Sequence, residues 1–275
     1  HQQNYLMKIY EENYILTQDI ALNVASYEKK SNTINILFVH GFLERWQSWE
    51  QTMNFLPKHY NLFAVDLRGF GRSGKTLTNH RRSTWAKDIS NLVNILNKKE
   101  MILIGHSLGG PIVSSVAKIN KISCVILEDP FLGSQAVDKT GRAQRGKLVA
   151  EIIDNSKSLD EAIKELKVLR PDWRDDIPVE IATARKFTDR FLLQVPRKFD
   201  DDFSIEEVYK NIPCRTILNN SNPSLGGINS PDEIKEIKKL NKLIEINDWQ
   251  GSGHNIHRDF PKKFAHEIVK FIENF

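Results

Sequence analysis

The sequence predicts an α/β fold, a mostly parallel eight-stranded sheet with helices on both faces and a helical insertion late in the chain. Three observations carry that expectation. From residue 34 onward, short continuous apolar runs alternate with helix-like segments, as in a parallel sheet buried on both faces. One of these runs, Met101–Ile104, leads straight into Gly105-His106-Ser107-Leu108-Gly109, with Pro111-Ile112-Val113 opening a helix behind it. At 275 residues, 40% of them hydrophobic and 27% charged, the chain is long enough to bury one large core.

The elements follow in order. The first thirty residues alternate polar and apolar, with Leu16, Ile20, Leu22 and Val24 among the apolar positions, and predict two antiparallel edge strands. Six strands come next, at Ile34–Val39, Leu62–Val65, Met101–Ile104, Cys124–Leu127, Thr216–Leu218 and Leu243–Ile246. A helix over Trp85–Leu96 places Trp85, Ile89, Leu92 and Leu96 on one face. The last helix starts at Pro261, a residue suited to the first helical turn, and runs to Phe275. Between Leu127 and Thr216 the rhythm of strands breaks, and Ser158-Leu159-Asp160-Glu161 reads as a capping box opening one of several helices. The expected organisation is therefore a core made of residues 1–130 and 206–275, with a helical insertion over 131–205. An insertion after a strand's carboxyl end sits over the ligand crevice of such a sheet. It carries Trp173, Phe187, Phe191, Leu192 and Leu193, which could line a pocket although most read as internal packing, and Trp173 and Phe191 are the candidate pocket residues.

Composition narrows the function. The net charge of +4, from 39 basic and 35 acidic residues spread along the chain, argues for neither nucleic acid nor a membrane surface as partner. Lys238-Lys239 and Lys262-Lys263 read as solvated helix faces. The apolar runs are strand-sized, too short for a transmembrane helix. Cys124 and Cys214 lie in apolar runs and are expected as buried free thiols, without a disulfide or a metal site. No signal-peptide apolar region is present near the start, and a cytoplasmic location is the default expectation. Oligomeric state leaves no trace in the pattern.

The chemistry gathers where strands end. Val39-His40-Gly41-Phe42 closes the third strand and Asp66-Leu67-Arg68-Gly69-Phe70-Gly71-Arg72-Ser73 the fourth. Gly105 to Gly109 closes the fifth, and Gly253-His254-Asn255-Ile256-His257 follows the eighth. In open α/β sheets, ligand sites form at the carboxyl ends of strands, so these four loops converge. A Gly-x-Ser-x-Gly turn between strand and helix presents a serine hydroxyl to a base, and a serine without one is a poor nucleophile.

Together, His40-Gly41, Asp66-x-Arg68-Gly69-x-Gly71-x-Ser73, Gly105-His106-Ser107-Leu108-Gly109-Gly110 and Gly253-His254 resemble the α/β-hydrolase superfamily, in its serine-nucleophile branch. The resemblance covers residues 34–130 and 206–275, and the insertion matches that superfamily's cap in position only. It implies the α/β-hydrolase fold, with Ser107 as nucleophile and His254 as general base. It also implies an oxyanion hole from the backbone N–H groups of Phe42 and Leu108. His257, three residues beyond His254, is its neighbour. His106 faces away from the nucleophile in such an elbow, and is counted with Trp46, Trp173 and Phe191 among the candidate pocket residues. Trp46 divides evenly between pocket wall and packing, whereas Trp49 reads as helix packing. His40 and Gly41 are expected to hold their loop's conformation, and Asp66 and Arg68 to hydrogen-bond loop backbone.

The acid departs from the commoner arrangement. Many members place an Asp after the seventh strand, where this chain reads Asn219-Asn220-Ser221-Asn222-Pro223-Ser224. The sixth strand ends instead in Glu128-Asp129-Pro130, and some members carry the acid there. Successive strand side chains face opposite ways, so only one of the two can meet His254. Asp129 is the first choice and Glu128 the second. The resemblance then implies hydrolysis of a small or medium carboxylic ester or lactone through an acyl-enzyme, without metal or organic cofactor. Serine at the elbow disfavours dehalogenases and epoxide hydrolases, which carry Asp there. A carbon–carbon bond hydrolase, an amidase, a peracid-forming enzyme and a slowly hydrolysing receptor use the same triad and stay open.

Overall fold

Period-two alternation along the central strands divides the apolar residues between two layers. On β3 (Ile34–Val39), Ile36 and Phe38 face one way and Leu37 and Val39 the other, all four with no exposed surface. The same split holds for Ile102 and Ile104 against Met101 and Leu103 on β5 (Glu100–His106). One layer packs under α2 (Arg82–Leu96) and α3 (Gly109–Ile119), through Trp85, Ile89, Leu92, Ile112 and Val116. The other packs under the 3-10 turn Trp46–Trp49, α1 (Glu50–Phe55) and the later helix α11 (Pro261–Glu273), through Trp49, Met53, Phe264, Ile268 and Phe271. This structure, a computed structural model, describes residues 7–77, 80–132, 141–194 and 204–274.

The described residues hold one eight-stranded sheet. Its other strands are β1 (Glu11–Leu16), β2 (Ala21–Tyr27), β4 (Tyr60–Val65), β6 (Cys124–Glu128), β7 (Arg215–Ser221) and β8 (Ile244–Trp249). The order is β1-β2-β4-β3-β5-β6-β7-β8, antiparallel at β1–β2 and β2–β4 and parallel elsewhere. Only β1 of the first pair is an edge strand, because β2 also pairs with β4. The register aligns Val39 with Gly105, and His106 with Glu128, so the loops leaving β3, β5 and β6 start at one level.

Local signals end the helices where expected. Asn97 closes α2 in the left-handed conformation at φ 47°, its N–H returning to the Val93 carbonyl. Ser230 and Glu233 form a reciprocal capping box at the start of α9 (Pro231–Leu240). Between β6 and β7 lie α4 (Arg142–Asn155), α5 (Leu159–Leu169), α6 (Asp176–Phe187), α7 (Arg190–Gln194) and α8 (Ile205–Tyr209), with no strand among the described residues. Ser158 caps α5 by accepting the Glu161 N–H at 3.1 Å. Ile153, Ala162, Leu166 and Ala182 give α4, α5 and α6 a small apolar cluster of their own. A short helix, α10 (Ile256–Asp259), precedes α11. Among the described residues, no helix is long and apolar enough to cross a membrane. Cys124 is buried, Cys214 half-buried, and both are free thiols.

Candidate active site

Ser107 occupies the turn between β5 and α3 in the left-handed region, at φ 50°, where a non-glycine residue is strained. Neighbouring backbone holds it there. Its N–H donates to the Glu128 carbonyl at 3.0 Å, and its own carbonyl accepts the N–H groups of Gly110 and Phe131, each at 3.0 Å. The flanking glycines are needed because α3 lies directly against the strands. A Cβ on Gly105 would stand 2.5 Å from the Gly109 carbonyl oxygen, and one on Gly109 would stand 2.4 Å from that of Val39.

His254 reaches Ser107 from the loop after β8. Its Nε2 lies 3.1 Å from Ser107 Oγ, and its Nδ1 lies 2.7 Å from Asp129 Oδ2. With Asp129 ionised, the Nδ1 proton donates to the carboxylate and the Nε2 lone pair faces the hydroxyl. Asp129 is also left-handed, at φ 36°, and has no exposed surface. Its Oδ1 accepts Ser221 N–H at 3.4 Å and Asn229 Nδ2–H at 3.1 Å, while Oδ2 accepts Ile228 N–H at 3.1 Å as well as His254. Burial alone would raise this carboxyl, but the hydrogen bond and charge of His254, with the donors at Ser221 and Ile228, hold it below the ordinary carboxylate value.

Glu128 points to the opposite layer, as alternation along β6 requires. Its Oε1 accepts both the backbone N–H and the Nδ1 proton of His257, at 2.9 and 2.8 Å, and neither side chain has exposed surface. The two carboxylates thus take one histidine each. The loop after β7 holds no carboxylate, and Asn222 caps its own turn by accepting the Ser224 N–H.

The remaining candidates separate. Phe42 is half-buried on the loop after β3, edge-on to Phe70. Leu108 immediately precedes α3, with its side chain buried. Trp46 is not a pocket wall: it is 5% exposed and packs against Tyr10 in the core, its backbone N–H tied to Asp66. His106 is also interior, wedged between Glu44 and the His254 backbone carbonyl, so it lines no open pocket. Trp173 is half-buried beside the Arg170 guanidinium, and Phe191 is 37% exposed near His80. Trp49 is core, stacked between His257 and Phe264. His40 joins two loops, donating from Nδ1 to the Gly41 carbonyl and accepting the Leu67 N–H at Nε2. Asp66 bonds backbone as expected, at Trp46 and Arg72, but Arg68 does not. Its guanidinium grips the carboxylates of Asp88 and Asp19, because a fully buried cation needs a charged partner more than a carbonyl.

Three charged residues escaped the sequence reading. Glu44, the one carboxylate in the loop after β3, pairs with His106 at 3.1 Å and with Arg258 Nη2 at 3.0 Å. Burial opposes charge on His106, but the Glu44 and Glu128 carboxylates outweigh it and push the imidazole up to about 9. Glu44, His106 and His257 offer donor atoms within 4.8 Å of one another, an arrangement able to hold a cation. A proton shared by Glu44 and His106 satisfies that pair without one. Arg258 also reaches Glu180 Oε2 on α6 at 2.7 Å, beside a cavity of about 200 Å³ that is lined by Arg45, Ser48, Glu50 and Arg174 and by none of Ser107, His254 or Asp129.

Burial, only partly offset by Arg258, raises the Glu180 carboxyl from 4.5 to about 7, and its Oε1 lacks a hydrogen-bond partner among the described residues. A carboxyl raised on folding stabilises the fold fully below its unfolded value, and that stability is lost as pH climbs through the folded value. The stability of the wild type relative to Glu180→Gln is therefore expected to fall between pH 4.5 and about 7, by at most about 3 kcal/mol. Urea unfolding of both proteins across that range measures it, and a difference independent of pH would show that Glu180 titrates normally.

The family described as the alpha/beta hydrolase fold matches residues 34–249, and the chain belongs to it. The chain is 30% identical over 112 residues to epoxide hydrolase 3 of Xenopus tropicalis, a match covering 39% of this chain and 30% of that protein. It is 35% identical over 123 residues to 2-(acetamidomethylene)succinate hydrolase of Mesorhizobium japonicum, covering 43% of each. Each match thus spans less than half of the relative's length. The esterase from Exiguobacterium antarcticum superposes with a TM-score of 0.74 at 16% identity, covering 96% of this chain and all of that one, a likeness of fold.

Proposed function

We propose that the protein is a serine hydrolase that cleaves a small or medium carboxylic ester or lactone through an acyl-enzyme. The observation that carries this reading is the continuous hydrogen-bonded line from Ser107 through His254 to Asp129, drawn from loops after β5, β8 and β6. His254 takes the Ser107 proton as Oγ attacks the carbonyl carbon, and returns it to the departing alcohol as the tetrahedral intermediate collapses. Water then repeats the sequence on the acyl-enzyme, releasing the acid and restoring Ser107. Asp129 holds the Nδ1 proton and stabilises the imidazolium at each step. The N–H groups of Phe42 and Leu108 receive the oxyanion, the latter at the start of α3, where the helix dipole favours negative charge. Of the expected insertion 131–205, the described helices within 141–194 serve as a cap over this edge of the sheet, with Trp173 and Phe191 as its pocket candidates, while residues 133–140 and 195–203 lie outside the described residues.

The relative named as an epoxide hydrolase shares the fold family, but serine at position 107 favours acyl transfer. The test is a panel of p-nitrophenyl esters of rising acyl length, lactones, amides and 2-(acetamidomethylene)succinate, with acid-quenched samples weighed by mass spectrometry. Steady turnover of an ester or lactone with an acyl mass on the Ser107 peptide is expected. A single acylation that then stalls would identify a receptor instead, and turnover confined to amides would replace the ester reading.

A further inference from the structure

We propose that Glu44 is a positioning residue, holding the Gly41–Phe42 loop and the His254 loop in register around Ser107. The inference rests on the serine-hydrolase reading and concerns a side chain that does not touch the reacting atoms. Glu44 is buried, and each of its oxygens is committed. Oε2 accepts the Gly41 N–H at 2.8 Å and faces His106 Nδ1 at 3.1 Å, while Oε1 faces Arg258 Nη2 at 3.0 Å. The ring of His106 carries the tie onward, since its Nε2 donates to the backbone carbonyl of His254 at 3.0 Å. One carboxylate therefore fastens the residue before Phe42, the residue before Ser107 and, at two points, the loop that bears the general base. The contact is close throughout, for a Cβ on Gly41 would stand 2.7 Å from His106 Nδ1.

The residue type follows from the donors it meets. Gly41 N–H and protonated His106 donate to Oε2, while the Arg258 guanidinium faces Oε1 as an ion pair, so negative oxygen is needed on both sides. An amide has an acceptor on one side only. Glu44→Gln must turn its NH₂ either toward Gly41 and His106, leaving buried donors without their acceptor, or toward Arg258, where two donors face each other and the ion pair is gone. The loop that loses its partner relaxes, either beneath the Phe42 N–H or beneath His254. Displacement of about 1 Å in such a site costs up to about 10²-fold in rate without weakening ground-state binding.

The test uses the full chain, p-nitrophenyl acetate and a fluorophosphonate probe. Glu44→Gln is expected to lower kcat by about 10- to 100-fold with KM within about threefold, and to slow probe labelling in parallel. Circular dichroism at the assay temperature checks that the variant is folded. A kcat within threefold of wild type, or a loss confined to KM, overturns the proposal, because a carboxylate that only stabilises the fold would shift Tm and leave the folded enzyme's kcat alone. If Glu44→Gln does not fold, His106→Gln, which keeps Glu44, carries the same expectation on kcat and the same criterion. Ser107→Ala in the same assay separates the failures. An active alanine variant sinks the nucleophile reading, whereas an inactive one beside an unaffected Glu44→Gln sinks only the positioning role.

Discussion

Ser107→Ala is expected to abolish covalent labelling by a fluorophosphonate and to lower ester turnover by on the order of 10⁵- to 10⁶-fold, the scale on which a triad nucleophile is missed. The hydroxyl is the only atom removed. The left-handed backbone at φ 50°, the hydrogen bonds from Gly110 and Phe131 to the residue 107 carbonyl, and the pair between His254 and Asp129 all survive an alanine. Melting temperature should therefore stay close to the wild-type value, which makes lost turnover a statement about chemistry and not about folding. Unchanged turnover in the alanine variant would end the serine-hydrolase reading.

Asp129→Asn is the second large effect, with a loss of about 10⁴-fold expected, as for the equivalent exchange in a serine protease. The imidazole needs an acceptor at Nδ1. An amide that turns its NH₂ toward His254 leaves two donors facing each other, and the ring escapes by moving its proton to Nε2, the position that must stay unprotonated to accept from Ser107. Turning the amide the other way points its NH₂ at Ser221 N–H and Asn229 Nδ2–H, both donors themselves. A stability loss of about 1–3 kcal/mol should accompany the lost rate, from whichever buried donors are orphaned. Glu128→Gln should leave most of the activity in place, because Glu128 serves His257. Asn222→Asp should not rescue the Asp129 variant. A near-normal Asp129→Asn enzyme beside an inactive Glu128→Gln one would reverse the assignment, and stopped-flow rates with thermal melts of the three variants decide it.

The features legible in the sequence were those encoded over a few consecutive residues. Ile34–Val39 and Cys124–Leu127 read as strands because both faces of a covered sheet demand apolar side chains, so the run is unbroken. The elbow is local for the same reason, since its glycines answer a steric demand within five residues. Alternation along one strand also said that only one of Glu128 and Asp129 could meet His254. Pairings across the fold left no such trace. Glu44, Glu180 and Arg258 are separated by dozens of residues and look individually like the solvated charges around them. Nothing local said that Arg68 would close on Asp88 and Asp19 rather than on its own loop. Trp46 failed for a related cause: an aromatic beside a site fills core or cavity equally well, and only the ring of Tyr10 decides it.

Ser107 and Asp129, the proposed nucleophile and acid, share an unusual property, for both hold positive φ without being glycine. Such backbone is stored at a cost of about 1–3 kcal/mol per residue, less for an aspartate than for a serine, against a net folding stability of about 5–15 kcal/mol for a typical domain. Mutational drift then has a built-in direction. Glycine at position 107 relieves the serine's share and keeps the backbone hydrogen bonds with Glu128, Gly110 and Phe131, so a lineage selected only for persistence would gain robustness by discarding the hydroxyl. A gene copy freed from catalysis has a downhill route to an inert scaffold. With Ser107 as the proposed nucleophile, keeping serine in that turn requires selection for reactivity against the backbone that carries it.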